Sequence, residues 1–278
     1  MNGKIETYGA DPELMLYDTV KNKIVSAIGV LKNDKYTPIE LPMGIMMYAD
    51  NVLVEFSFPP CRDHASFVES LRNALQYGQN HLGPRYRFIA KAAHVYDDEE
   101  LADPKALEGG CSPNFDVYAG APNMPPKFEG GLRTGSFHIH IGSDQLQTRE
   151  TKDAMIKYLD LCLGVPSLVF DHDSTSQQRR KLYGKAGEFR PTPYGVEYRV
   201  LGPYALRSPR LVSLCLNLVD LAFQAANVGE PELRVDNIIN SHDVEVATEF
   251  VHTYLNGYVM EITAVEPPDL YRDWKISI

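Results

Sequence analysis

Between Arg179 and Pro203 the chain crowds four arginines, two lysines and two glutamates among four glycines and three tyrosines. At the centre of this segment, Tyr194-Gly195-Val196-Glu197-Tyr198-Arg199 alternates like a strand. Glu197 and Arg199 fall on one face, and Val196, Tyr198 and Val200 on the other. An arginine fork matches phosphate or carboxylate oxygens, and an ionised glutamate supplies the hard oxygen that Mg²⁺ prefers. Taken alone, the six residues describe equally well a solvated edge strand with an ordinary ion pair.

Two more acids stand in apolar company. Glu13 follows Gly9-Ala10-Asp11-Pro12 and opens the run Leu14-Met15-Leu16, while Glu55 is the sole charge in Val52 to Phe58. A buried, unpaired carboxylate costs several kcal/mol, on the order that forces protonation or pairing. A salt bridge or an exposed edge position accounts for either acid singly, whereas Glu13, Glu55 and Glu197 together point to a metal site. A third constellation is Gly130 to Gly142, where His138 and His140 share one strand face and Phe137, Ile139 and Ile141 share the other. Two such histidines could bind Zn²⁺, could face phosphate and Mg²⁺, or could simply be satisfied on the sheet. The other six histidines are dispersed, which speaks against a zinc hydrolase. Arg133, Arg179, Arg180, Lys181, Lys185, Arg190 and Arg199 lie in or near these motifs and favour phosphate.

The elements that must position these residues follow from punctuation and period. Strands are expected at Glu13 to Tyr17 after a Gly9 to Pro12 turn, and at 24–30, 51–58, 86–95 and 136–141. Helices are expected at 63–81, ended by Gly83-Pro84, and at 148–163, capped by Gly164. Others are expected at 174–183, from Ser208-Pro209 to about Ala226, at 233–240 and at 243–255. The segment from Gly109 to Gly130 reads as a long Pro- and Gly-rich loop, a candidate lid. Strands and helices do not alternate regularly, so one α+β domain over 1–278 is expected, with 205–278 a helical C-terminal part.

Composition narrows the function classes. With 27 basic against 37 acidic residues and a formal net charge of -10, broad nucleic-acid or anionic-membrane binding is disfavoured. A basic pocket in an acidic protein points instead to a small anion such as a nucleotide. No leader-like start or membrane-length apolar run is visible, so a cytoplasmic protein is expected. Cys61, Cys111, Cys162 and Cys215 show no CxxC spacing and read as buried free thiols. Phosphate-loop, dinucleotide and nucleophile-elbow signatures are missing.

In order, GADPE, VEFSFPP, GCSPNF, LRTGSFHIHIG and RRKLYGKAGEFRPTPYGVEYRVLG resemble the phage and bacterial amidoligases called COOH-NH2 ligase type 2, of the glutamine synthetase and glutamate-cysteine ligase superfamily. The match spans about 8–204. It implies a curved, mostly antiparallel sheet forming a funnel for Mg²⁺ and ATP, with helices on the outer face. It also implies joining of a carboxylate to an amine through an acyl phosphate. By resemblance Glu13, Glu55 and Glu197 would bind metal, and His138 and His140 would contact nucleotide and metal. Arg180, Arg190 and Arg199 would meet phosphates or acyl phosphate, with Arg133 and Lys185 as weaker candidates. Ser57 departs from the Asn that relatives carry two positions after the second Glu. A guanidino-kinase-type phosphotransferase and a non-catalytic phage binding or structural protein are the rival readings. The acid, the amine (small molecule or peptide), the base and homo-oligomer formation are left open.

Overall fold

The computed structural model describes residues 3–107, 114–123 and 130–278. Its centre is β1 (Thr7–Asp18), a twelve-residue strand. The sheet around it also contains β2 (Lys23–Val25), β3 (Ile39–Leu41), β4 (Ile45–Asp50), β5 (Leu53–Ser57) and β6 (Tyr86–Ile89). After β7 (Ala93–Val95) come β8 (Asn114–Asp116), β9 (Ala121–Asn123), β10 (Leu132–Thr134), β11 (Phe137–Gly142), β12 (Glu188–Thr192) and β13 (Gly195–Tyr198). The spatial order is β3-β4-β5-β1-β11-β13-β12-β8-β9, with β2 and β6 on the C-terminal half of β1, and every pairing is antiparallel. A separate two-stranded ribbon joins β10 to β7. This is the expected α+β class with a large antiparallel sheet.

Helices accompany that sheet, with the second, the third and the sixth packed against its strands or one another. They are α1 (Ile28–Leu31), α2 (His64–Leu82), α3 (Arg149–Leu159), α4 (Val165–Phe170), α5 (Ser176–Leu182) and α6 (Pro209–Ala226), then α7 (Asp236–Ser241), α8 (Val244–Tyr254), α9 (Val259–Thr263) and α10 (Leu270–Trp274). Helix α2 starts where Asp63 accepts from Ser66 N at 2.7 Å, and its stripe of Phe67, Leu71, Ala74 and Leu75 is buried. Gly78 on that helix lies against the Phe56 ring, where any Cβ would come within 2.6 Å. Helix α6 begins at Ser208-Pro209, as its cap chemistry dictates. No helix among the described residues is long and apolar enough to cross a membrane.

Several expectations need correction. The Gly9 to Pro12 stretch is not a turn but part of β1, paired with β11 from Thr7 to Pro12. Pro12 lacks an N–H to extend the pairing with β5, which stops at Glu13. The run at 24–30 is a three-residue strand followed by α1, and 86–95 breaks into β6 and β7, which belong to different sheets. Gly164 does not end a helix. Helix α3 continues through a π turn, Asp160–Gly164, into α4, and Gly164 is needed because a Cβ there would lie 2.6 Å from the Tyr198 hydroxyl. The Gly109 to Gly130 stretch contains the β8–β9 hairpin; 109–113, with Cys111, and 124–129 lie outside the described residues. Cys61, Cys162 and Cys215 are buried free thiols, as expected. Strands β3 and β4 were not anticipated.

Candidate functional site

Strand register places the chemistry. Directly opposed residues share a face, so Tyr48, Glu55 and Glu13 form one cross-sheet row. Asp11 faces His138 in a second, and Gly9, His140, Glu197 and Arg190 form a third. The opposite face carries Ala10, Ile139, Tyr198 and Phe189 and packs under the helices. One sheet therefore has an apolar side and a polar side, and the polar side is largely enclosed. Glu197 is 1% exposed, Arg199 2% and His138 3%.

Glu13, Asp50 and Glu55 bring carboxylate oxygens within 4.8 Å of one another. Burial, then the charge of Asp50, pushes Glu13 up to about 8, while the charges of Arg199 and Arg179 and a hydrogen bond with Ser136 pull the other way. Glu55 is raised well above its usual range by burial and by Asp50, Glu13 and Asp11, although Tyr48 Oη donates to it at 2.9 Å. Asp50 is raised by burial, against the opposing charge of Lys35. Three acids held this close cannot all ionise without a cation among them.

Two residues back along β1 from Glu13, Asp11 joins His140 of β11 and Glu197 of β13 in a second group of ligand-type atoms within 4.8 Å of one another. His140 Nε2 meets Asp11 Oδ2 at 2.8 Å, and its Nδ1 meets the Tyr194 hydroxyl at 2.6 Å. Burial opposes charge on His140, yet the hydrogen bond and charge of Asp11 raise it overall. Both Glu197 oxygens accept from guanidinium groups: Oε2 from Arg190 Nη1 at 2.7 Å and Oε1 from Arg199 Nη1, whose Nη2 donates to the Tyr183 hydroxyl. His138 is held neutral by burial and by Arg199, with Nδ1 3.5 Å from Glu197 and a buried Nε2 that has no hydrogen-bond partner among the described residues. Arg199 also acts electrostatically on Glu13 and Asp50, and so links the two groups.

The structure thus divides the three glutamates grouped from sequence: Glu13 and Glu55 join Asp50, and Glu197 joins Asp11 and His140. The remaining cations are placed elsewhere. Arg133 donates to the carbonyls of Ala106, Gly130 and Leu132. Arg180 donates to Gly184 O and His242 Nδ1, and Lys185 is exposed in the turn before β12. Arg179, unassigned from sequence, clamps Gly135 O, Val200 O, Leu201 O and Ser136 Oγ. Gly184 is left-handed at φ 77°, and a Cβ there would lie 1.8 Å from Arg179 Nη1, so the clamp requires glycine.

Asp11 and Asp50 escaped the sequence reading. Period-2 spacing from Glu13 would have found Asp11 had the stretch been read as strand. Asp50 stands two residues after Tyr48 on unread β4.

Two cavities flank the polar face. One of ≈ 460 Å³ includes Asp50, Asn51, Lys32, Lys35 and Lys105 in its lining; the other, ≈ 300 Å³, includes Asp11, His140, Tyr194 and Phe58.

The model of the family described as "Phage phiEco32-like COOH.NH2 ligase-type 2" matches residues 113–267. That is more than half of the chain, and it includes the His138/His140 and Glu197/Arg199 motifs. The match also runs past 204 through the helices, where no motif was visible. No curated protein matches. Similar solved structures include "Apo GmaS without ligand" (11% identity, 93% of this chain, 66% of that chain, TM-score 0.46). Another is "GmaS/ADP complex-Conformation 1" (11%, 93%, 66%, 0.42). A third is a bifunctional glutathione synthetase from Pasteurella multocida (11%, 98%, 46%, 0.46). The chain spans about two thirds or less of the length of these structures.

Proposed function

The chain belongs to the phage phiEco32-like COOH.NH2 ligase-type 2 family, and on that premise we propose that it is an ATP- and Mg²⁺-dependent carboxylate-amine ligase working through an acyl phosphate. The observation that carries this reading is the enclosed polar face, where a trio of crowded carboxylates and a pair of arginines are joined through Arg199.

The donor set fits magnesium. Glu13, Asp50 and Glu55 offer only hard oxygen ligands, and burial together with their mutual repulsion raises Glu13 and Glu55 above the usual carboxylate range, a cost that a bound cation would relieve. These three would hold the ion, which when bound neutralises charge on the phosphoryl oxygens. Asp11, His140 and Glu197 suit it less, because Glu197 is already occupied by two guanidinium groups and Asp11 by His140.

In the proposed reaction, a substrate carboxylate oxygen takes the γ-phosphoryl group of ATP and ADP leaves. The amine nitrogen then attacks the acyl carbon, the C–N bond forms, the C–O bond to phosphate breaks, and nitrogen gives up a proton. Arg190 and Arg199 are placed to face oxyanions, with Glu197 fixing their orientation. Enclosure keeps water from the acyl phosphate. Lys32 and Lys35, which line the larger cavity with Asp50, give it cations for nucleotide phosphates, while Lys105 is already paired with Asp34 at 2.7 Å.

The test is twofold. Mg-ATP should raise the melting temperature, and Glu55→Gln should abolish the rise; then inorganic phosphate should appear only when both a carboxylate and an amine are supplied. Stabilisation by no nucleotide sinks the proposal. A phosphorylated product without phosphate release would hand the reaction to a phosphotransferase.

A further inference from the structure

The smaller flanking cavity belongs to no role assigned so far. Its lining includes Gly9, Asp11, Phe58, Pro60, His140 and Tyr194. It opens beside the Asp11, His140 and Glu197 group, on the opposite flank from the lysine-bearing cavity at Asp50. From this we infer that the ≈ 300 Å³ cavity is the acyl-acceptor site, and that it takes a primary amine on a compact apolar body with no carboxylate of its own. The inference rests on the ligase reading and names the class of its second substrate.

The first argument is charge. Among the described residues neither lysine nor arginine lines the smaller cavity, whereas the larger has Lys32, Lys35 and Lys105 alongside Asp34, Asp50 and Asp103. A substrate carboxylate entering the smaller one would lose its hydration and meet Asp11, while the cationic tendency of His140 is already taken up by that same Asp11, a double penalty. An amine meets the reverse. His140 is fixed at both ring nitrogens and engages Asp11 through Oδ2, which leaves Oδ1 with no hydrogen bond among the described residues and the side chain 24% exposed. That oxygen is an acceptor for an N–H in the cavity, whose lining shares Asp11 and His140 with the group that carries Glu197 and its arginines.

The second argument is shape. The Tyr194 ring lies nearly parallel to His140, at 23°, and Phe58 and Pro60 line the same cavity. Aromatic faces attract ammonium groups and pack hydrocarbon equally well. The volume is at the small end for ligand pockets, so the body of the amine must be compact. Gly9 leaves the floor open, because a Cβ there would stand 3.4 Å from His140 Cβ and point onto the same face as Asp11.

Isopentylamine, leucine and isopentanol share one hydrocarbon body and differ in the groups at issue. With full-length protein and Mg-ATP, ligand-observed NMR titration should show isopentylamine binding at least tenfold tighter than leucine and isopentanol. Gly9→Val should remove amine binding while the Mg-ATP melting shift persists. Tyr194→Ala, at a side chain outside the core, should weaken the amine at least fivefold if the glycine variant fails to fold. Leucine binding as tightly as the amine, or amine binding that survives both substitutions, overturns the assignment. Loss of the Mg-ATP shift in the wild type, with amine binding intact, would instead remove the ligase reading and leave the cavity's ligand class standing.

Discussion

Glu13 and Glu55 stand directly opposite each other across β1 and β5, both buried, with Asp50 beside them. Two buried carboxyls in directly opposed positions can ionise only at the expense of the fold, so this pair weakens it at the site. Replacing Glu55 with Gln should therefore raise the melting temperature of the metal-free protein by a few degrees while abolishing the magnesium-dependent rise. Thermal denaturation with and without Mg²⁺ checks both halves, and a lower melting temperature without metal would show that the pair does not repel.

The same pair sets a pH dependence. Glu13 is raised from its ordinary 4.5 to about 8, so in the metal-free protein its folded state holds a proton that the unfolded state gives up. Its contribution to stability is complete below about 4.5 and is lost as pH rises through about 8. Metal must displace that proton, so Mg²⁺ affinity should run the other way. Between pH 6 and 8.5 the melting temperature without metal should fall, and Mg²⁺ should bind at least tenfold tighter at the upper end by calorimetry. Glu13→Gln should flatten both trends.

Arg199 bridges Glu197 and Tyr183 at 2% exposure. Arg199→Ala strips a partner from a buried carboxylate, which costs about 3–5 kcal/mol. Arg199→Lys keeps the charge and loses the fork, so it should recover part of the stability but little of the ATP affinity. Urea denaturation and nucleotide titration on the two variants separate these effects.

Arg179 satisfies three backbone carbonyls and Ser136 without reaching into the cavities. Arg179→Lys should cost about 2 kcal/mol through unmet buried acceptors, with ATP affinity of the folded protein changed less than threefold. A tenfold loss of affinity would place Arg179 at the phosphates instead.

Asp160, in the π turn behind the sheet, accepts from the Tyr198 hydroxyl at 2.7 Å and from Gly187 N at 2.7 Å. Burial raises it to about 7, against the pull of those bonds. Its stability contribution is present below its ordinary range and is lost as pH rises through about 7. Asp160→Asn should flatten the stability profile between pH 5 and 8, while Asp160→Ala, which orphans buried donors, should cost about 2 kcal/mol or more at every pH.

Some of this was legible in the chain itself. Asp63 with Ser66, Ser208 with Pro209, and Gly83 mark helix ends through local hydrogen bonds and backbone limits, so α2 and α6 fall where their caps require. Period-2 alternation put His138 with His140, and Glu197 with Arg199, on shared faces, because side-chain direction in a strand depends only on local geometry. Which strands become neighbours is not local. Register across β1 seats Glu13 against Glu55 and Asp11 against His138, and it recruits Asp50 from a strand with no chemical signature. Tertiary packing also decided which cations serve the site. Arg133, Arg179 and Arg180 read alike with Arg190 and Arg199 in the sequence, yet the first three spend their donors on carbonyls, the Ser136 hydroxyl and His242, while the last two meet Glu197 on the enclosed face. A guanidinium looks the same in any sequence, and the acceptors that the fold brings within reach determine what it does.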